Sequence, residues 1–236
     1  MCVASRWRFE DMFIGHFALG LAAKRLTPET SLATTLAAAQ WPDIVWPVLV
    51  LAGVEHVTIA PGDTAFTPLR FDQYPISHSL LTVMLWGAAL AGLHFARCRR
   101  PRAALLLGAL VVSHWLLDFV SHRPDMPLTP WSPDRWGLGL WNSIPGTFLV
   151  EGSLFLAGLA IFRTASRPRD RVGRWAFGLL VAFLLVAYLA SALGPPPPSV
   201  AAVGWTTVAG ALLLLPWAAW ADRHRTASVA SRNSEL

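Results

Sequence analysis

The sequence predicts an all-α fold, a polytopic integral membrane helical bundle with about six transmembrane helices and a short N-terminal re-entrant or interfacial helix. Its composition is 54% hydrophobic and only 14% charged, with a mean hydropathy of +0.47. About six apolar runs approach the roughly 20 residues that a helix needs to cross a bilayer. Composition and run length together therefore favour a membrane protein over a soluble one.

The individual elements follow from those runs. The run from Met12 to Ala23 is too short to span, which indicates a re-entrant or interfacial helix. Pro42 interrupts the next run, so a short helix before it and a second helix starting near Asp43 are predicted there. The expected spans cover residues 31–53, 79–96, 103–121, 147–163, 173–194 and 199–221.

The basic residues predict the orientation of the chain. Of the 19 lysines and arginines, 16 fall on one side of a six-span arrangement. Because basic loops resist translocation, that side is predicted to be cytoplasmic and to hold both termini. The basic groups lie within residues 6–25, 97–102, 163–174 and 223–232.

Charge and its distribution also limit the partners and the domain organisation. The formal charge of +5 and the pI near 10.2 come from loops that face anionic lipid, so membrane lipids are expected partners and nucleic acid is not. Most histidines and acidic residues lie in the first half of the chain. We expect one membrane-embedded domain over residues 1–222, with a metal-site half at about 12–155, accessory spans at about 173–221, and a disordered cytoplasmic tail at 223–236.

The feature most indicative of function is His114 followed four residues later by Asp118, inside the predicted span 103–121. Residues four apart lie on nearly the same face of a helix, so this imidazole and carboxylate can approach one ion. An aspartate at the centre of a span costs about 3 kcal/mol, and a bound cation removes most of that cost. A buried hydrogen-bonded pair that locks two helices is the alternative.

Other segments place histidines and carboxylates at the same depth in the membrane as His114 and Asp118. His78 lies at the outer start of the preceding span, and Glu151 lies near the outer start of the following one. His16 in the short helix and Asp43 after the Pro42 break are two further candidates. Histidine and carboxylate ligands predict a divalent metal, zinc first, with manganese or iron as alternatives. Helix capping explains His78 and Asp43 without a metal, and the helix dipole explains Glu151.

Four short elements occur in order over roughly residues 12–125. They read Gly15-His16-Phe17-Ala18-Leu19-Gly20, Pro42-Asp43-Ile44, Ser77-His78-Ser79-Leu80-Leu81, and His114 to Asp118. Together they resemble the YdjM-like family of membrane-bound, metal-dependent hydrolases of bacterial and archaeal inner membranes. The resemblance implies a cytoplasmic (inner) membrane location and a metal held by His16, Asp43, His78, His114 and Asp118.

The chain departs from the family pattern at two places. Val45 stands where the family has a second acid after Pro-Asp-Ile, and residues 73–75 read Gln-Tyr-Pro where the family has His-Arg-Gly. These departures leave the number of metal ions open.

The resemblance implies hydrolysis of a phosphoester or a lipid-linked substrate by a metal-activated water. Glu151 or Asp125, which the sequence places near the site, is the expected proton acceptor. Two other classes are also compatible with the sequence. One is a transporter or permease that uses buried His and Asp for proton or cation coupling. The other is a non-catalytic membrane scaffold with a structural metal. The tryptophan-containing segment from Arg123 to Thr147 is predicted to be an aromatic belt on the outer leaflet or a lid over the site.

Overall fold

The computed structural model of the protein describes residues 14–228. The predicted start of the short helix at Met12 and the predicted disorder of residues 229–236 lie outside the described residues. Within the described range the chain is mostly helical, which confirms the predicted fold class. The helices are α1 (Ile14–Ala23), α2 (Leu32–Ala39), α3 (Trp41–Leu51), α4 (Pro75–His78), α5 (Leu80–Cys98), α6 (Pro101–Ser121), α7 (Ile144–Ala165), α8 (Arg171–Leu193) and α9 (Val200–Arg223).

Of the helices in residues 14–228, five are long and apolar enough to cross a membrane, namely α5 to α9. They correspond to the last five predicted spans. The first predicted span, 31–53, instead forms α2 and α3, which meet at Gln40. Pro42 lies in the first turn of α3, where its missing N–H breaks no helical hydrogen bond, so the helices separate just before it.

The two short helices run in series along α9. At the start of α2, the Leu32 amide donates to the Asp222 carboxylate near the end of α9, at 2.9 Å. At the end of α3, Leu51 packs against Gly204 near the start of α9. Together α2 and α3 therefore cover the length of a transmembrane helix, with the interruption in the middle.

Short strands among residues 14–228 form three two-stranded antiparallel pairs, which the sequence did not predict. They are β1 (His56–Ile59) with β2 (Leu69–Gln73), β3 (Met126–Pro127) with β4 (Arg135–Trp136), and β5 (Ser166–Pro168) with β6 (Arg225–Ala227). The last pair corrects the predicted tail, because residues 223–228 are ordered. The guanidinium of Arg225 lies 5.1 Å from the Phe162 ring and 4.8 Å from the Phe177 ring, and it also donates to Ser166. These contacts hold β6 against the bundle.

The predicted clusters of basic residues gather at one end of the bundle, formed by residues 24–32, 97–102, 163–174 and 222–228, which we call the arginine-rich end. There Lys24 Nζ lies 3.1 Å from Asp222 Oδ2, and Arg100 Nη1 lies 3.5 Å from Glu29 Oε1. The opposite end carries the β1–β2 pair and residues 122–143, and we call it the hairpin end.

Helix α1 is half the length of a span and lies inside the bundle. Eight of its 10 residues are buried, and it packs against α7, α2 and α6. Glycines permit the closest contacts: a methyl group at Gly158 of α7 would lie 2.6 Å from Ala18 Cα, and one at Gly20 would lie 2.8 Å from Leu36 Cδ2. The interior position disagrees with the interfacial alternative, and the re-entrant alternative stays a prediction because the residues before Ile14 lie outside the described range.

Gly158→Ala is therefore expected to destabilise the protein by about 1–3 kcal/mol, the usual cost of overpacking. The backbone of Ala18 has no flexible side chain to move aside, so α1 itself must shift. Thermal unfolding in detergent micelles measures the effect. Gly152→Ala is the matched control on the same helix, because a methyl group there meets nothing within 4 Å. Equal stability of the two variants would contradict this account of α1 packing.

Candidate metal centre

The five side chains predicted as metal ligands converge in the interior of the bundle. Asp118 is central, with Oδ1 3.0 Å from His16 Nε2 and Oδ2 3.1 Å from His114 Nε2. Its Oδ2 also lies 3.7 Å from His78 Nε2. Asp43 Oδ1 lies 3.4 Å from His78 Nε2 and 3.5 Å from His114 Nε2. Residues separated by up to 102 positions in sequence therefore meet at one point.

Four helices position these side chains. His114 and Asp118 come from one face of α6, and His16 comes from the buried helix α1. Asp43 lies in the first turn of α3, directly after the break at Gln40, and His78 ends the four-residue helix α4. The break is essential to this geometry because it places the start of a helix, with its acidic residue, in the middle of the bundle.

The donor set fits a divalent metal. In each of two sets, His16, His114 and Asp118, or Asp43, His78 and His114, the candidate ligand atoms lie within 4.8 Å of one another. Ligands about 2.0–2.2 Å from one ion lie roughly 3–4 Å apart, which is the spacing seen for the closest pairs. His114 belongs to both sets, so the two sets form one joined centre.

Two atoms of this centre lack hydrogen bonds although they are buried. His114 Nε2 and Asp118 Oδ2 are 3.1 Å apart, yet neither makes a hydrogen bond within the described residues. Buried polar groups are normally satisfied, so these two atoms are candidates for binding a metal ion. A cavity of about 30 Å³ adjoins the centre, and its lining consists of His16, Asp43, His78 and Asp118 from the centre together with Trp46, Phe71, His122 and Trp141. That volume holds an ion or one or two water molecules.

Access to the centre is from the side of Asp43. The Asp43 side chain is 19% exposed, whereas that of His114 is 0% exposed. A small solute therefore reaches the Asp43 carboxylate before it reaches the α6 ligands.

Outer hydrogen bonds fix the ring of each of two histidines. His114 Nδ1 donates to the Ala39 carbonyl at 2.8 Å, at the end of α2 where the helix is broken. His78 Nδ1 donates to Ser77 Oγ at 2.7 Å, and Ser77 Oγ in turn donates to Glu55 Oε2 at 2.5 Å. Both rings are thereby held in the tautomer that leaves Nε2 free to bind a metal.

Glu55 contacts the candidate centre through Ser77, which the sequence did not predict because Glu55-His56 reads as the outer boundary of a span. The side chain is almost fully buried, and it also accepts the backbone amides of Ile76 at 2.7 Å and Ser77 at 2.9 Å. The sequence did contain one indication of this contact, because Ser77, whose hydroxyl can form a hydrogen bond, directly precedes the predicted ligand His78. Its partner Glu55 lies 22 residues away and could not be assigned.

Glu55→Gln is expected to lower the metal affinity of the protein by about 10- to 100-fold, the usual effect of removing an outer-shell carboxylate. The glutamine carbonyl can still accept from the amides of Ile76 and Ser77, but its NH₂ group replaces the oxygen that accepts from the Ser77 hydroxyl, so the chain that orients His78 is broken. Competition with a chromogenic chelator measures the affinity. Glu29→Gln, a glutamate at the arginine-rich end, is the control and should bind metal like the unmodified protein.

Comparison with known proteins identifies the family of this chain. The family model of the YdjM inner membrane protein matches residues 9–195, most of the chain and all five members of the centre. The chain belongs to the YdjM inner membrane protein family. Together with the apolar helices α5 to α9, this membership identifies a multi-pass membrane protein. No curated protein and no solved structure matches it.

In this YdjM-family chain, the predicted proton acceptor Asp125 lies behind His122. Asp125 Oδ1 accepts hydrogen bonds from His122 Nδ1 at 3.0 Å and from the Tyr74 hydroxyl at 2.7 Å. Burial alone would lower the pKa of His122, but the Asp125 carboxylate raises it above its usual value. His122 itself lines the cavity, with Nε2 4.0 Å from Asp118 Oδ1. In the sequence, His122 continues the stripe of His114 and Asp118 by one further helical turn.

The other predicted proton acceptor of this YdjM-family chain, Glu151, lies behind Trp141. The Trp141 indole N–H donates to Glu151 Oε1 at 3.3 Å, and the Trp141 ring is 4.3 Å from the His122 ring. Glu151 is fully buried on α7. Both predicted acids thus contact the cavity through an intervening side chain.

Proposed function

We propose that this chain is a membrane-bound metal-dependent hydrolase that acts on a phosphoester or a lipid-linked substrate. The observation that carries the proposal is the convergence of three histidines and two aspartates, four of which line a small cavity, with His114 Nε2 and Asp118 Oδ2 buried and without a hydrogen bond among the described residues. Membership of the YdjM family and the orienting hydrogen bonds on His78 and His114 support it.

In this proposal the metal, zinc or alternatively manganese or iron, is held by His16, Asp43, His78, His114 and Asp118. A divalent cation in such a site lowers the pKa of a coordinated water and polarises the scissile group. Ser77 and Glu55 keep His78 oriented, and the Ala39 carbonyl keeps His114 oriented. The protein residues thereby fix the ligand geometry before substrate arrives.

His122 Nε2 is the atom best placed to take up the proton released by the attacking water. It lines the cavity 4.0 Å from Asp118 Oδ1, while its Nδ1 is held by Asp125. Asp125 and Glu151 act as positioning residues, the first on His122 and the second on Trp141. This assigns the two predicted acids a role through their neighbours.

The composition of α6 favours an enzyme over a carrier. On α6, every buried residue between Pro101 and His114 is apolar, so this helix offers no polar path from the centre to the arginine-rich end. A carrier needs access from both sides of its site.

Exposed aromatic residues at the hairpin end favour a substrate that comes from the membrane interface. Trp131 is 76% exposed and Leu138 is 68% exposed in the segment that follows His122. Tryptophan prefers the headgroup region, so this segment lies at the lipid surface in our proposal. The arginine-rich end is then cytoplasmic, and the centre opens on the outer side of the membrane.

The test is turnover by purified protein in detergent or nanodiscs with a chromogenic phosphodiester and with phosphorylated lipids. We expect hydrolysis that is lost after chelation and restored by zinc or manganese. His114→Ala should be inactive and metal-poor, whereas His56→Ala, an exposed histidine of β1, should be unchanged. Metal-loaded protein that hydrolyses no ester but drives pH-linked uptake in proteoliposomes would overturn the proposal in favour of a carrier. Metal that is needed only for folding, without turnover, would indicate a scaffold.

A further inference from the structure

A large cavity at the arginine-rich end lies outside the metal centre. It has a volume of about 760 Å³ and lies between the α1–α2 loop and the turn from α5 to α6. Its lining residues carry three arginines, Arg99, Arg100 and Arg102, against one acid, Glu29. Glu29 pairs with Arg100 at 3.5 Å, so the lining keeps a net positive charge.

An apolar groove continues from this cavity. The groove has a volume of about 410 Å³, lies against α1 and α6, and shares Leu26 and Leu106 with the cavity. Along α6 it extends from Leu106 to Ser113, which is about 10 Å at the helical rise per residue. A basic cavity therefore adjoins an apolar groove. Their shape and polarity match a phospholipid headgroup followed by the first part of an acyl chain.

We propose that the cavity and the groove together bind one anionic lipid, with its phosphate at Arg99 and Arg102 and an acyl chain along α6. Basic pockets between transmembrane helices are recognised sites for anionic headgroups. The continuity with the groove favours a lipid over free phosphate, because an inorganic anion would leave the apolar part empty.

This lipid is not the substrate of the metal centre. Arg102 and Asp118 are 16 positions apart on α6, which places the headgroup about 24 Å from the centre. The acyl chain instead lies against Ala22 and Leu19 of α1, the helix that carries His16. The site is therefore expected to stabilise the packing of α1 independently of any hydrolytic activity.

The test measures lipid binding to purified protein in detergent, by native mass spectrometry and by the lipid-induced rise in unfolding temperature. The probes are phosphatidylglycerol, phosphatidylcholine and inorganic phosphate. The variants are Arg99→Gln/Arg102→Gln in the cavity and Ala109→Trp, which fills the exposed groove. The matched control, Arg169→Gln/Arg171→Gln, removes the same charge at the same end but lines neither space.

We expect phosphatidylglycerol to bind the unmodified and control proteins, and to bind each of the other two variants roughly tenfold more weakly or worse. Phosphatidylcholine should bind weakly to all of them. Loss of binding in the control to the same extent would overturn the proposal, since the effect would then be general surface charge. The proposal would also be overturned if Ala109→Trp bound phosphatidylglycerol as tightly as the unmodified protein and inorganic phosphate displaced the lipid. The cavity would then bind the phosphate group alone, without an acyl chain in the groove. Unfolding without added lipid identifies any variant that fails to fold, and a smaller groove substitution, Ala109→Leu, then replaces Ala109→Trp.

Discussion

Asp118→Asn is expected to reduce the metal affinity of the protein by more than about 100-fold and to abolish hydrolysis. The Asp118 carboxylate lies within 4.0 Å of Nε2 of the three histidines of the centre, His16, His78 and His114, and of His122, which lines the cavity. Asparagine has nearly the same size but is neutral and offers one oxygen in place of two. Outer-shell changes cost about 10- to 100-fold, so loss of a central ligand should exceed that range.

Elemental analysis and chelator competition on purified Asp118→Asn measure this effect, with circular dichroism to establish that the helices are intact. Asp72→Asn is the matched control, because Asp72 is an exposed carboxylate of β2 at the same end of the bundle. If Asp118→Asn binds metal as tightly as Asp72→Asn does, the ligand assignment is wrong. If only Asp118→Asn loses the metal, the convergence of side chains reflects a true binding site.

The sequence predicted the members of the centre because each carries a local signal. His114 and Asp118 share a helix face by spacing, and Pro42 marks the break that places Asp43 within the bundle. Such signals depend on a few neighbouring residues and on the helical repeat. They assign residues to one level of the membrane, which is enough to propose a metal site.

The sequence could not predict which side chains stand between the centre and the two candidate acids. Asp125 and Glu151 were placed at the right level, but His122 and Trp141 separate them from the cavity. That order depends on rotamers and on tertiary packing, which helical periodicity does not encode. Glu55 shows the same limit, since its role comes from the amides of Ile76 and Ser77 and from the Ser77 hydroxyl, 21 and 22 residues away.

The disordered tail was predicted from polar composition, and composition was a poor guide for residues 225–227. Arg225 makes its stabilising contacts with Phe162, Phe177 and Ser166, which lie 48 or more positions earlier in the chain. An arginine that stacks on two rings is indistinguishable in sequence from one exposed to solvent.

Asp222→Ala is expected to destabilise the protein by about 3–5 kcal/mol, because it breaks a buried ion pair by removing one partner. The side chains of Lys24 and Asp222 are only 7% and 15% exposed, and their charged atoms are 3.1 Å apart. Asp222 also accepts the Leu32 amide at the start of α2 at 2.9 Å. The change therefore leaves the Lys24 ammonium without its counter-charge and the Leu32 amide without its acceptor.

The free energy of unfolding in detergent micelles, from denaturant titration, measures the loss. Asp222→Asn should be intermediate because it can still accept from Leu32, and Lys24→Met/Asp222→Leu should recover much of the stability since no unpaired charge remains. Glu29→Ala, which breaks a more exposed pair with Arg100 at the same end, should cost about 1 kcal/mol or less. A cost for Asp222→Ala as small as that for Glu29→Ala would show that the pair is solvated. The α1–α2 loop would then need another anchor to keep His16 at the metal centre.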